Sequence, residues 1–335
     1  MHYIHRKYDK KFLVIQTASI GDVILSTALG EKLSQHYPQA QIDYLVKQGN
    51  ERLFDGNPWI NEIFSWDKSR EKYKNMLRII FQLREEKYDA VFNLQRFASS
   101  GIFTTFSGAK KTYGFRKNPF SLFFSKAFPH KLKANWHETD RNHQLIAQLT
   151  DDKKAKPALY PTMKEDAIMS QYKTQKYITI TPASLWFTKQ FPLNKWIAFV
   201  NQIDASINIY LLGSAQDKSL CDELIKNTDR NYMMNLAGKL SFLESAALMR
   251  DAWMNFVNDS AAQHIASSVN GKITAIFCST VADFGFGPLS DDAVIIETKE
   301  HLKCRPCGLH GHKKCPKSHF KCAENINIKE LLDRI

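Results

Sequence analysis

Residues 12–33 read FLVIQTASIGDVILSTALGEKL. Phe12-Leu13-Val14-Ile15 is a short apolar run rich in β-branched side chains, the pattern of a buried strand. A polar turn, Thr17-Ala18-Ser19, leads into Ile20-Gly21-Asp22, after which Val23, Ile24, Thr27, Leu29 and Leu33 fall mostly at helical spacing. The segment therefore reads as strand, tight turn, helix. The first N–H groups of such a helix lack partners and carry partial positive charge, so they draw anions into the crevice at the strand's end. Gly21 permits a sharp turn or a close approach, and Asp22 stands where an N-cap is expected. No G-x-G-x-x-G follows this strand, which weakens a dinucleotide reading. A carboxylate is also the wrong charge for a phosphate cradle; it suits a base.

The same alternation continues downstream. Ile42–Val46 reads as a second strand, Gly49–Phe54 as a short helix, and residues 59–64 as another short apolar stretch. Tyr73–Glu86 is periodic and helical, with Met76, Leu77, Ile80, Phe81 and Leu83 expected to form its buried stripe. Tyr88–Leu94 is the next strand. Strands alternating with helices imply a parallel sheet covered on both faces, with ligands bound beyond the carboxyl ends of the strands. Asp22 lies at one such end, and Asn93, Gln95 and Arg96 lie at another.

Residues 96–135 differ in character. Eight phenylalanines, from Phe97 to Phe128, are interleaved with Lys110, Lys111, Arg116, Lys117, Lys126, Lys131 and Lys133, and almost no acid appears until Glu138. The segment reads either as ordinary elements with solvated lysines or as a basic, aromatic face for an anionic lipid or phosphorylated glycan. Single-stranded nucleic acid suits the same composition. Residues 134–149 read as a helix with acid near its start, and Asp151–Lys176, polar and containing Pro157 and Pro161, reads as a linker.

A second alternating block opens with Tyr177–Thr181 and runs into Pro182-Ala183-Ser184-Leu185-Trp186-Phe187-Thr188-Lys189-Gln190-Phe191-Pro192. Ser184, Thr188 and Lys189 thus sit in a loop at a strand's carboxyl end, where a lysine can meet a phosphate; a plain surface lysine is the alternative. Trp196–Ile203 and Leu220–Ile225 read as helical, residues 208–212 as a strand, and Ser241-Phe242-Leu243-Glu244 has capping-box form. Trp253–Val257 is a strand, followed by Asn258-Asp259-Ser260-Ala261-Ala262-Gln263-His264. That is again a strand, a polar turn and a helix start, able to hold a diphosphate on free N–H groups or to be a capped helix with a packed histidine. Ile273–Phe277 is a strand and Phe284–Pro288 a loop.

With 335 residues and 44% hydrophobic residues, two domains are expected: residues 1–160 and residues 170–335. A net charge of +12 points to anionic company. No apolar run reaches the length of a membrane span, and the charged MHYIHRKYDKK start does not have the form of a signal peptide. Cys221 and Cys278 are scattered, while Cys304, Cys307, Cys315 and Cys322 crowd together with His310, His312 and His319. A reducing cytoplasm is the expected setting. Ligand density at the cluster is enough for zinc, though the spacing is not that of paired C-x-x-C knuckles; packed thiols or a local disulfide are the alternatives.

Taken in order, four pieces resemble glycosyltransferase family 9, the ADP-heptose:lipopolysaccharide heptosyltransferases: Ser19-Ile20-Gly21-Asp22-Val23-Ile24; the Pro-Ala-Ser loop with Thr188-Lys189-Gln190-Phe191-Pro192; Asn235-Leu236-Ala237-Gly238-Lys239; and Asn258-Asp259-Ser260 with His264. The resemblance spans nearly the whole chain. It implies a GT-B fold, two Rossmann-like domains facing each other across a cleft, with the acceptor mainly on the N-terminal domain and the donor mainly on the C-terminal one. It implies an inverting transfer with no metal and no cofactor. Asp22 then matches the base and Lys189 the charge partner of the leaving diphosphate. Ser184, Thr188, Asp259, Ser260, Ala261 and His264 match the donor-holding turns, with a methyl group at Ala261 where the family often has glycine. Gly21, Asn93, Gln95 and Arg96 are the acceptor-side candidates. The partners implied are a nucleotide sugar such as ADP-heptose, a lipid-linked glycan and an anionic membrane surface at the inner face of the cytoplasmic membrane, with no nucleic acid and a monomeric chain.

Two rival classes are set against this. An NAD-dependent oxidoreductase lacks its glycine fingerprint here, and NADH fluorescence quenching tests it. A basic nucleic-acid binder would show a salt-dependent shift with DNA or RNA. Neither accounts for the Gly21-Asp22, Lys189 and Asp259 loops all falling at strand ends.

Overall fold

A computed structural model describes residues 8–132, 136–230 and 232–335. The N-terminal residues 1–7, Lys133 of the basic stretch and the start of the expected 134–149 helix lie outside the described residues. The chain divides into two compact units, one built from the residues up to 132 with Glu138–Ala158, the other from Trp136 and His137 with Leu159–Ile335.

The first unit holds a six-stranded sheet of β1 (Lys11–Gln16), β2 (Gln41–Lys47), β3 (Ile60–Trp66), β4 (Ala90–Asn93), β5 (Lys111–Phe115) and β6 (Lys126–Phe128). Its order is β3-β2-β1-β4-β5-β6 and every pairing is parallel. The second unit repeats the plan with β7 (Tyr177–Thr181), β8 (Asn208–Leu211), β9 (Met233–Asn235), β10 (Met254–Asn258), β11 (Ile273–Phe277) and β12 (Ala293–Glu297), in the order β12-β11-β10-β7-β8-β9, again all parallel. Counted within its own unit, each sheet has the doubly wound order 3-2-1-4-5-6. The strand order reverses between β1 and β4 in one unit and between β7 and β10 in the other. Loops leaving those four strands open the crevice in which such sheets bind ligands.

The first helix, Ile20–His36, is buried on almost every side, including Val23 to Leu29 and Leu33. A helix apolar all round belongs inside a core. Its polar residues are matched accordingly: the Ser26 and Thr27 hydroxyls donate to carbonyls of the preceding turn, and the Trp59 indole donates to Glu31 at 2.8 Å.

Helix Lys72–Glu86 departs from the expected stripe. It buries Met76, Ile79, Ile80 and Leu83, a set spaced i, i+3, i+4, i+7, while Leu77 and Phe81 face solvent. The sequence has apolar residues on two sides of this helix, and periodicity alone cannot say which side meets the sheet. The aromatic segment also divides: Phe103, Phe115 and Phe124 are buried, while Phe97, Phe106 and Phe123 are exposed.

The polar stretch after Asp151 is more structured than a linker. Thr162 and Glu165 form a reciprocal capping box for helix Met163–Met169, which packs on helix Phe242–Asp251 in the second unit. The capping box expected at Ser241 and Glu244 is formed. Strands β9 and β12 were not anticipated; β9 has only three residues, and β12 pairs through one edge of the sheet. The chain's last helices, Lys321–Glu324 and Ile328–Leu332, bury Ala323, Ile326 and Leu331 against the second core.

Candidate functional site

In the first unit the turn after β1 places Ser19, not Asp22, at the N-cap position of helix Ile20–His36. Asp22 is the third helical residue, half-buried, and accepts the Ser19 hydroxyl at 2.6 Å. Ser19 makes no side-chain cap hydrogen bond to the helix; its hydroxyl donates to the Asp22 carboxylate. Burial pushes the Asp22 carboxyl above the ordinary aspartate range and the negative charge of Glu138 adds to this, while the Ser19 hydrogen bonds and Arg96 oppose it.

Glu138 is a second carboxylate that the sequence reading did not select. It opens the short helix Glu138–His143, which packs against helix Ile20–His36. Burial pushes its carboxyl up, but the His130 contact at 3.5 Å and the Arg141 guanidinium at 2.6 Å win and hold it below the usual range. It is therefore ionised, and it acts on Asp22 as a fixed negative charge.

The residues after β4 divide by exposure. Asn93 is fully buried; its side-chain Oδ1 accepts the Gln95 backbone N–H at 2.9 Å, while its side-chain Nδ2 has no partner. Gln95 is buried and accepts the Thr17 hydroxyl at 2.8 Å, which ties the β4 loop to the β1 loop. Arg96 is exposed, and Gly21 is buried within the first helix turn. One more cation joins this end of the sheet. Lys68, just past β3, donates to the Thr17 carbonyl at 2.6 Å and stands 4.9 Å over the Trp66 ring. Burial, then the charges of Lys47 and Lys72, lowers its pKa, so several lysines crowd the ends of β2 and β3. Nothing in the spacing of Lys68 distinguishes it from a surface lysine; only the fold brings it to the β1 loop.

In the second unit the Lys189 ammonium meets the Asp259 carboxylate at 2.7 Å, with both side chains largely buried. Asp259 also accepts the Thr280 hydroxyl at 2.5 Å and the Gln263 amide at 3.3 Å. Asn258, the last residue of β10, accepts the Phe191 N–H at 2.9 Å and donates to the Pro182 carbonyl at 2.8 Å. It thereby fixes both ends of the loop that carries Ser184, Thr188 and Lys189. Ser184 donates weakly to the Asp259 carbonyl at 3.3 Å.

Helix Ala261–Ser268 starts directly beyond Ser260, which holds the N-cap position without capping the helix through its side chain. The Ser260 hydroxyl and His264 Nδ1 are buried atoms with no partner. Burial, followed by the charges of His137 and Lys189, pushes the His264 pKa down to about 3, so its imidazole is neutral at physiological pH. Two unspent polar atoms, the free N–H groups of a helix start and a lysine converge on the crevice between β7 and β10. Such a set is suited to a diphosphate.

Thr188 faces inward. It is buried, donates its backbone N–H to the His312 carbonyl at 3.1 Å and accepts the His312 N–H on its side-chain oxygen at 2.8 Å. The Ser279 hydroxyl lies 3.0 Å from the same oxygen, and the Cys307 N–H donates to the Ser279 carbonyl at 2.8 Å. Arg305 donates to the carbonyls of Cys278 and Thr280, each at 2.7 Å. The Cys/His-rich segment is thus a strap over the Lys189 loop. Its cysteines are free thiols, and among the described residues no three His, Cys, Asp or Glu side chains converge as a metal site.

Comparison with known proteins follows the same lines. The family described as "Glycosyltransferase family 9 (heptosyltransferase)" matches residues 76–317. Lipopolysaccharide heptosyltransferase 3 of Escherichia coli is 27% identical over 279 residues, covering 78% of this chain and 81% of that protein. The solved E. coli ADP-heptose LPS heptosyltransferase II superposes with a TM-score of 0.81 at 21% identity, covering 97% of each chain. A glycosyltransferase family 9 protein from Veillonella parvula superposes with a TM-score of 0.83 at 19% identity, covering 98% of this chain and 96% of that one. The fold is that of the GT-B enzymes, and the chain belongs to glycosyltransferase family 9, the heptosyltransferases.

Proposed function

We propose that this glycosyltransferase moves a heptosyl residue from ADP-heptose to a lipid-linked, lipopolysaccharide-type acceptor, with inversion at the anomeric carbon. Asp22 takes the proton of the acceptor hydroxyl. The oxygen bonds to the anomeric carbon as the bond from that carbon to the phosphate oxygen breaks, and the electron pair leaves on ADP. The raised Asp22 pKa makes the carboxylate a better base than an ordinary aspartate. Lys189 and the first N–H groups of helix Ala261–Ser268 meet the charge that grows on the diphosphate, and Asp259 holds the lysine in place.

On the acceptor side Arg96, Lys68 and their neighbours offer positive charge to an anionic glycan, with Gly21, Asn93 and Gln95 shaping the loops beneath. The protein works at the inner face of the cytoplasmic membrane, where a lipid-linked acceptor resides. The observation that carries this reading is the Lys189–Asp259 pair beside a helix start with unspent polar atoms, at the switch point of the second sheet.

The test is mass spectrometry of products from a panel of nucleotide sugars with a lipid A–Kdo acceptor. Addition of one heptose from ADP-heptose alone is expected. Transfer only from another sugar nucleotide, or hydrolysis without transfer, would reject the proposal.

A further inference from the structure

Helix Lys72–Glu86 has two apolar faces. Met76, Ile79, Ile80 and Leu83 fill the core beside Trp66 and Phe103. A helix packed on a sheet needs one such face, and its outer side is normally polar. Here Tyr73, Leu77 and Phe81, spaced four residues apart, are 73%, 56% and 65% exposed.

The neighbouring helix Ala98–Phe106 packs beside it and adds a further exposed aromatic ring, Phe106. Ala98 and Phe106 are exposed on its outer side, while Ile102 between them is half-buried and packs against the core. Both helices return antiparallel to the strands they connect, so they run in the same direction and their outer sides lie next to each other. At their far ends a Cβ on Gly108 would stand 3.4 Å from Arg84 Cγ, which joins the rim of one helix to the other. Contiguous exposed apolar surface of this kind marks a contact.

The charges around it choose the partner. Arg70, Lys72, Lys74, Arg78, Arg84 and Lys87 border the stripe. Of the acids nearby, Glu71 is paired with Lys74 at 2.7 Å and Glu86 turns inward to Lys11 and Gln41, while the exposed Glu85, four residues past Phe81, ends the stripe and leaves the cations in excess. Aromatic and aliphatic side chains ringed by long cationic ones fit the boundary of an anionic bilayer, where the rings enter the headgroup region and the lysines and arginines reach phosphate. Among the described residues no helix is long and apolar enough to cross a membrane, so contact would be made by a surface.

We propose that the outer face of helices Lys72–Glu86 and Ala98–Phe106 is the surface that lays the first unit on an anionic lipid bilayer. The inference rests on the lipid-linked acceptor proposed above and names the part of the molecule that reaches it.

The test uses the full chain with vesicles of phosphatidylcholine alone or mixed with phosphatidylglycerol. Wild-type protein is expected to co-sediment with the anionic vesicles only, and the Tyr73→Gln/Leu77→Gln/Phe81→Gln triple variant to bind them about tenfold more weakly. All three positions are exposed, so circular dichroism should be unchanged. In a Phe81→Trp variant, indole emission is expected to shift to the blue on anionic vesicles. Unimpaired vesicle binding by the triple variant, with no shift in the Trp variant, would overturn this surface. So would a concentration-dependent dimer that the triple variant loses, with no vesicle binding by wild type. Transfer to a deacylated acceptor is read separately and should be equal in wild type and triple variant. Its absence in both would reject the proposed reaction, and vesicle binding would still decide the surface.

Discussion

The Lys189 ammonium and the Asp259 carboxylate stand 2.7 Å apart and bridge the loops after β7 and β10. The carboxylate is already engaged by Thr280 and Gln263, whereas a lysine ammonium has three donors. The pair therefore positions a cation and leaves it able to bind an anion. The two substitutions should separate. Lys189→Ala should weaken ADP binding by about 1.5–3 kcal/mol, the worth of a hydrogen bond to a charged group, and lower turnover with it. Asp259→Asn releases the lysine from its counter-charge, so ADP should bind as tightly or more tightly while kcat falls roughly tenfold to a hundredfold from lost orientation. Calorimetry with ADP and steady-state kinetics check both. Equal losses of ADP affinity would mean that Asp259 touches the donor itself.

Asp22 should show its cost in stability as well as its use in catalysis. Asp22→Asn should reduce kcat by about 10²- to 10⁴-fold with donor affinity unchanged. Its folded pKa is raised above the ordinary aspartate value of 3.8, first by burial. The folded state therefore holds a proton that the unfolded chain gives up, and stability falls as pH rises through that interval. The Asn variant escapes this penalty, so it should melt higher than wild type at neutral pH and no higher in strong acid. For activity the base must be ionised, so kcat/KM should fall as pH drops through the raised value. Glu138→Gln removes a negative neighbour and should move that acid limb to lower pH. An unmoved limb in a folded Glu138→Gln protein would detach Glu138 from Asp22.

Thr188 holds the strap. Its side-chain oxygen accepts the His312 N–H at 2.8 Å and lies 3.0 Å from the Ser279 hydroxyl. Thr188→Val keeps the shape and strands both partners, which should cost about 1–3 kcal/mol for each group left unsatisfied. Amide hydrogen exchange at His312 should quicken, and Thr188→Ser should restore protection. Unchanged exchange in the valine variant would show that backbone pairing alone secures the segment.

Much of this was legible because α/β sheets write themselves in short apolar runs followed by polar turns. Phe12–Ile15, Tyr177–Thr181 and Ile273–Phe277 are such runs, and Asp22, Lys189 and Asp259 stand in the segments that leave the carboxyl ends of β1, β7 and β10. Side-chain direction was less legible. Leu77 and Phe81 share helical periodicity with the core residues beside them, and only packing shows that they face outward. Asp22 looked like a cap because Gly-Asp is a common helix start, yet the backbone begins its helix earlier and Ser19 takes that place. The action of Glu138 on Asp22, and the contacts of Lys68 with Thr17 and of Arg305 with Cys278, span sequence distances that no local pattern records. The Thr188–His312 contact spans 124 positions.

Gly238 tests the loop Asn235-Leu236-Ala237-Gly238-Lys239 directly. Its φ of +74° lies in the left-handed region, which other residues enter at a cost. Its N–H donates to the Gly213 carbonyl at 2.9 Å, joining the turns after β9 and β8. An added Cβ would stand 2.6 Å from the Ala215 Cα and 3.0 Å from its backbone nitrogen. Those atoms belong to the chain itself and cannot swing aside as a flexible side chain would. Gly238→Ala should therefore combine conformational strain with overpacking and destabilise the second unit by about 2–4 kcal/mol. Urea unfolding of the full chain should show a lower midpoint for the variant. ADP affinity of the folded protein should change little, because the glycine has no side chain to offer a ligand and its N–H is engaged by the Gly213 carbonyl. A variant as stable as wild type would mean that the Ala215 turn yields, and that the close approach of the two loops is not what requires a glycine.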